Sequence, residues 1–220
     1  MSAGRRAAPA LRGVRTTLLL GEPGSCDRLL AGWLAQRPPG ESWSVLDNRP
    51  LAYADPALPV PAAPATDPTS QVRLTRLPGG CLCCAGVNLR VTLTRLLRAE
   101  RPQRLFILPP PEAELRSLLR QLGDNWLLPV LALRAVIGVL DPEHWVALAE
   151  PARQELLERL AGADLLVLAS DPGAIAGIPA WVGWQTAHPG IRLLKLPPDP
   201  PPLQWLDEAP TPRPRTFRTE

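Results

Sequence analysis

Thr16-Thr17-Leu18-Leu19-Leu20-Gly21-Glu22-Pro23-Gly24-Ser25 is the stretch from which the fold can be read. Thr16–Leu20 is a short apolar run of buried-strand type, and Gly21–Ser25 behind it has the composition of a turn. Leu29, Leu30, Trp33 and Leu34 then share one helical face, which predicts a helix to about Gln36. A strand passing through a tight turn into a helix is the opening half of a βαβ unit.

The same alternation continues along the chain. Strands are expected at Trp43–Leu46, Val72–Leu77, Leu105–Leu108, Ala135–Leu140, Leu165–Ala169 and Ile191–Leu194. Helices are expected from Leu89 through Leu97, over Leu115–Leu122 closed by Gly123, and over Gln154–Ala161. Strands separated by helices of this length imply right-handed crossovers and a mostly parallel sheet covered on both faces. The fold class is therefore α/β, doubly wound, in a single domain. Residues 1–14 read as a disordered leader, 15–196 as the domain and 197–220 as a proline-rich tail. Within the domain, 49–70 is too broken by proline for a helix or a central strand and reads as a long mobile loop.

Composition narrows the function. The 220 residues suffice for one domain of ordinary size. A net charge of +3 gives neither a nucleic-acid footprint nor an acidic solvating chain. No apolar run is long enough for a spanning helix, and the arginines of the leader interrupt any signal-type segment. The expectation is a cytoplasmic protein with no nucleic-acid or membrane partner. Of the 24 basic residues only Lys195 is a lysine.

The chemistry gathers in Leu77-Pro78-Gly79-Gly80-Cys81-Leu82-Cys83-Cys84. Thiolates are soft donors for zinc, copper(I) and other thiophilic ions, and the two glycines allow a loop tight enough to turn several sulfurs on one ion. Arg76, Arg90 and the start of the next helix favour the thiolate. Three sulfurs leave a fourth position for another ligand or water. Two other readings of these cysteines remain: thiol redox chemistry, and packing as small buried residues. Cys26 could add a fourth sulfur, or be a buried cysteine at a helix start, which burial statistics favour. His144 reads as an exposed ring at a helix start, and His188 as a loop residue. Trp181 and Trp184 read as core, with an exposed partner patch as the alternative.

Gly80-Cys81-Leu82-Cys83-Cys84 resembles the G-C-x-C-C loop of the CobW-type metallochaperone GTPases, relatives of the UreG and HypB proteins. The frame around it is similar as well. Gly21–Ser25 stands where that family has its Walker A loop, Val45-Leu46-Asp47-Asn48 where it has V-L-x-N, and Val136–Asp141 where a strand ends in V-V-D. The resemblance implies a P-loop NTPase type of sheet and a metal-handling role. It runs from about Arg15 to Lys195, without the family's C-terminal domain.

The nucleotide motifs depart from the pattern. G-x-x-x-x-G-K-[ST] cradles phosphate on backbone N–H groups, neutralises it with lysine and holds Mg²⁺ on the hydroxyl. Here its last three positions are Cys26, Asp27 and Arg28, and only Gly21, Gly24 and Ser25 remain as a vestigial phosphate loop. The family's E-P-T-G aligns with Leu108-Pro109-Pro110-Pro111, its N-K-x-D with Ala169-Ser170-Asp171-Pro172, and its switch glutamate with Arg49. Asp27 alone reads as a helix-start acid rather than a metal ligand. Loss of the cation, the magnesium hydroxyl, the acid and the base reader together removes the sources of phosphoryl-transfer stabilisation.

The resulting expectation is a non-hydrolysing pseudo-GTPase that binds zinc or another thiophilic metal through Cys81, Cys83 and Cys84. It would buffer or deliver that metal, with a relative of its own family or a metalloprotein client as protein partner. The rivals are a divergent NTPase using Arg28 as surrogate cation, and an interaction scaffold with vestigial cysteines.

Overall fold

The computed structural model describes residues 13–50, 72–76, 86–127, 129–196, 201–203 and 205–206. In chain order the elements are β1 (Val14–Gly21), α1 (Pro23–Ala35), β2 (Trp43–Asp47), β3 (Val72–Arg76), α2 (Gly86–Glu100) and β4 (Arg104–Leu108). They continue with α3 (Leu115–Leu122), β5 (Leu131–Leu140), α4 (Pro142–Ala147), α5 (Glu150–Leu160), β6 (Leu165–Leu168), α6 (Pro179–Ala187) and β7 (Arg192–Lys195). The strands form one sheet in the order β3-β2-β4-β1-β5-β6-β7. Every pairing is parallel.

The sheet is parallel because each connection is a crossover, and its central strands are apolar because helices cover both faces. Leu18 and Leu20 face one side with Leu105, Ile107, Val136 and Leu140; leucines of α2, α3 and α5 close over them, as do Trp145, Trp181 and Trp184. Leu19, Val45, Phe106, Ile137 and Val139 face the other side, under Leu29, Leu30, Trp33 and Leu34 of α1. Trp33 stacks on Phe106 at 6.1 Å between centroids. The alternation of Leu18, Leu19 and Leu20 between two cores is the period of two that a strand imposes.

The expected α/β, doubly wound architecture is the one observed, with differences of detail. β5 begins at Leu131 rather than Ala135, because Leu131–Leu133 pair with Val14–Thr16 ahead of a register shift between Thr16 and Thr17. α5 begins at Glu150 rather than Gln154, since Pro151 is accommodated in a first turn, where no N–H is required. α6 was not anticipated; Trp181 and Trp184 form its buried stripe, stacked at 5.3 Å, and so belong to the core. The packed domain also runs past residue 196. Leu206 is fully buried against the α1 side of the sheet, with Leu203 and Trp205 beside it.

β1 ends at the centre of the sheet, between β4 and β5, where connections leave in opposite directions. Such a switch point opens a crevice at the carboxyl ends of the strands. Gly21 closes β1 there with φ of 136°, and a Cβ on it would lie 2.1 Å from the Val139 carbonyl oxygen. Gly21→Ala should therefore cost about 2–3 kcal/mol from backbone strain and overpacking. Urea denaturation followed by tryptophan fluorescence measures it; an unchanged midpoint would contradict the close approach.

Candidate functional site

The crevice is built from the last residues of β1, β2, β4, β5 and β6. In a P-loop the strand gives way to a glycine-rich loop, and the helix follows that loop, so that free N–H groups point at phosphate. Here α1 begins at Pro23, with Glu22 as its N-cap, and the segment Pro23–Arg28 is already helical. The Cys26 N–H donates to the Glu22 carbonyl at 2.9 Å, and Pro23 has no N–H to give. Of the four residues between Gly21 and Cys26, Pro23, Gly24 and Ser25 lie in the first turn of the helix and Glu22 caps it.

Of the vestigial loop residues, Gly21 is demanded by its approach to β5. Gly24 is not demanded by anything nearby, for a Cβ there would meet no atom within 4 Å. Ser25 is buried, and its hydroxyl accepts from the Arg28 guanidinium at 3.4 Å.

Next to this helix start lies a buried charge cluster. Arg49 is 6% exposed, Asp27 5% and Asp47 1%, values that leave the three charges out of reach of bulk water. Arg49 Nε and Nη2 donate to the two Asp47 carboxylate oxygens at 2.9 Å each, a bidentate pair. Arg49 Nη2 also lies 2.8 Å from Asp27 Oδ1, and Nη1 donates to the Pro23 carbonyl at 3.3 Å. Burial opposes the guanidinium charge, but the hydrogen bonds to Asp47 and then Asp27 outweigh it and hold its pKa above the ordinary value. Arg49 thus bridges both carboxylates and ties them to the start of α1.

Two expectations change here. Asp27 is a buried partner of Arg49 rather than a helix-start acid exposed to the dipole. Arg49, placed at the start of the mobile loop, belongs to the buried framework, because its ion pairs tie the end of β2 to the start of α1.

Arg28 turns the other way, toward β5, and meets Asp141 at 3.2 Å with its own side chain 60% exposed. Asp141 caps α4 by accepting from the Glu143 N–H at 3.1 Å, and it accepts from the Ser170 hydroxyl at 2.8 Å. Although burial works against it, the bond from Ser170 and the N–H groups of His144 and Glu143 hold its carboxyl below the usual range. Glu22 sits beside it, its carboxyl raised by burial and partly relieved by His144, whose Nε2 is 3.5 Å away. His144 has the exposed ring at a helix start that was expected.

Cys26 is 3% exposed and packs among Leu19, Leu29 and Leu30. Burial pushes its thiol up to about 12, so at neutral pH it is the protonated, inert form. Cys81, Cys83 and Cys84, the expected metal ligands, lie outside the described residues. So does residue 71 with most of the proline-rich stretch before it. Among the described residues no group of three or more His, Cys, Asp and Glu side chains is placed to hold a metal ion. No helix among them is long and apolar enough to cross a membrane.

Residues 23–170 match the family described as CobW/HypB/UreG, nucleotide-binding domain. The chain belongs to this family. A CobW relative in Escherichia coli strain K12, the zinc chaperone YeiR, is 32% identical over 155 residues. That match takes in 70% of this chain but spans only 45% of YeiR's length. Among solved structures, the Zn(II)-bound YjiA GTPase from E. coli superposes with a TM-score of 0.56 at 17% identity, over 87% of this chain and 60% of YjiA. A Zn(II)-bound YjiA variant with one glutamate and two cysteines changed to alanine superposes with a TM-score of 0.57 at 16% identity, over 88% of this chain and 61% of that one. The CobW fold of this chain is thus that of the P-loop GTPases.

The charge cluster is the part of the site that sequence reasoning missed. A signal was present: the position of the P-loop lysine carries an acid, and the position of the switch glutamate carries a base. An exchange of signs at two sites in one crevice is what an internal ion pair leaves in a sequence.

Proposed function

We propose that this CobW protein handles zinc, or another thiophilic metal, without a nucleotide cycle. The metal is its cargo, taken by the Cys81, Cys83 and Cys84 thiolates, and the role is buffering or delivery to a protein of its own family or to a metalloprotein client. The donor chemistry supports zinc, which accepts three sulfurs and an open fourth position. The activity that YeiR's name carries supports a chaperone role.

The observation that carries the pseudo-GTPase part is the helical start at Pro23 beside the Asp27–Arg49–Asp47 cluster. Phosphate binding needs free N–H groups and a cation. Pro23 has no N–H, that of Cys26 is spent inside the helix, and the Arg49 guanidinium is already held by two carboxylates. A triphosphate placed there meets two buried carboxylates in a medium of low dielectric, where their repulsion is strong. Arg28 does not restore the cation, because its guanidinium is engaged by Asp141 and Ser25.

Isothermal titration of the protein with GTP and with ATP in the presence of Mg²⁺ tests this. No binding tighter than about 10 μM, some −7 kcal/mol, is expected for either nucleotide. A tighter, magnesium-dependent site would overturn the pseudo-GTPase reading in favour of a divergent NTPase.

A further inference from the structure

Crossovers of one hand place α2, α3 and α5 side by side on the same face of the sheet, consistent with their shared core. The solvent side of this layer is sorted by charge. α3 exposes Arg116 and Arg120 and contains no acid, while α2 beside it exposes Arg95 and Arg98. α5 exposes Glu150, Glu155 and Glu158. Of its two arginines, Arg153 lies over the Trp145 ring at 5.6 Å and pairs with Glu150, which leaves Glu155 and Glu158 as the acids facing the groove, and Arg159 turns to the Pro111 carbonyl. A groove of about 910 Å³ separates the basic α3 from the acidic α5, floored by Leu115, Leu119 and Gly162.

We propose that this face pairs with the same face of a second copy, across a two-fold axis running along the helices through the α3–α5 groove. A two-fold interface must be complementary to itself. Rotation about an axis along the helices exchanges the two sides of the groove, so that each α3 lies over its partner's α5 and arginine meets glutamate twice. An axis across the helices would set arginine on arginine, so the charges select one arrangement. The approach least favoured by charge is along the groove itself, whose lining includes Glu112, Glu114 and Asp164 of each copy beside half-buried Arg159.

Three helices about 10 Å apart and 12–22 Å long present roughly 500 Å² per copy, or about 1,000 Å² in all. That is the low end for a specific complex, so the dimer is weak and sensitive to salt. This pairing is independent of the metal and nucleotide readings above, since none of its residues belongs to either site.

Sedimentation velocity of the full chain at 50–100 μM, in about 25 mM and about 500 mM NaCl, provides the test. A dimer is expected at low salt and a monomer at high salt. Arg116→Glu with Arg120→Glu should give a monomer at low salt, as should Glu155→Arg with Glu158→Arg, with unchanged circular dichroism because all four side chains are exposed. Mixing the two double variants should restore a dimer, now one all-acidic face on one all-basic face. A monomeric wild type at low salt overturns the proposal. So does a dimer that neither pair of reversals disturbs, which would place the contact elsewhere, and so does failure of the mixed variants to associate.

Discussion

Replacing Arg49 with methionine is expected to destabilise the domain by about 3–5 kcal/mol, the usual penalty for removing one partner of a buried ion pair. Two buried carboxylates, Asp27 and Asp47, would lose the guanidinium that bridges them. Exposed arginines give a baseline for comparison, since their removal changes stability by less than about 0.5 kcal/mol. Combining Arg49→Met with Asp27→Leu and Asp47→Asn should recover much of the loss, because both carboxylates that Arg49 held are removed with it. Urea unfolding at pH 7 reads both effects. A variant of wild-type stability at pH 7 would mean that the cluster is hydrated and contributes little.

The second large effect concerns the metal. Cys83→Ser is expected to remove most of the zinc affinity, because a hydroxyl remains protonated at neutral pH and is a poor ligand for a soft ion. Zinc content by elemental analysis should fall from about one per chain to near zero after dialysis, by the stoichiometry of a three-thiolate site. The wild-type circular dichroism spectrum should be retained. Unchanged zinc content would show that the thiolate at position 83 is dispensable, and the C-x-C-C loop would lose its assigned role.

How much of this could be read from the chain alone depended on range. Runs such as Thr16–Leu20 and Leu165–Leu168 report their own burial, since a strand between two helical layers has to be apolar on both faces. The end of β1 and the start of α1 were legible in outline from Gly21 and Pro23. What was not legible was that the helix begins at once. A glycine-serine stretch after a strand has the composition of a loop, and it winds into a turn here because Pro23 suits a first helical position and the Cys26 N–H finds the Glu22 carbonyl. The partnership of Asp27 with Arg49 depends on β2 emerging next to α1, a tertiary fact with no local pattern. α6 escaped because Pro179, Gly183 and two tryptophans in nine residues dilute the usual helical signal.

In the Arg49 guanidinium the protein carries a counter-ion tethered to its own chain, which can neither diffuse away nor be consumed. The centre of the sheet is therefore neutralised as far as it will ever be from the moment the chain folds, whatever the energy supply of the surroundings. Under the proposed function, a carrier built this way has no clock. Its loading would follow the free concentration of its ion alone, as a thermometer follows heat, and release would have to be driven by a tighter-binding recipient rather than by a spent phosphate bond.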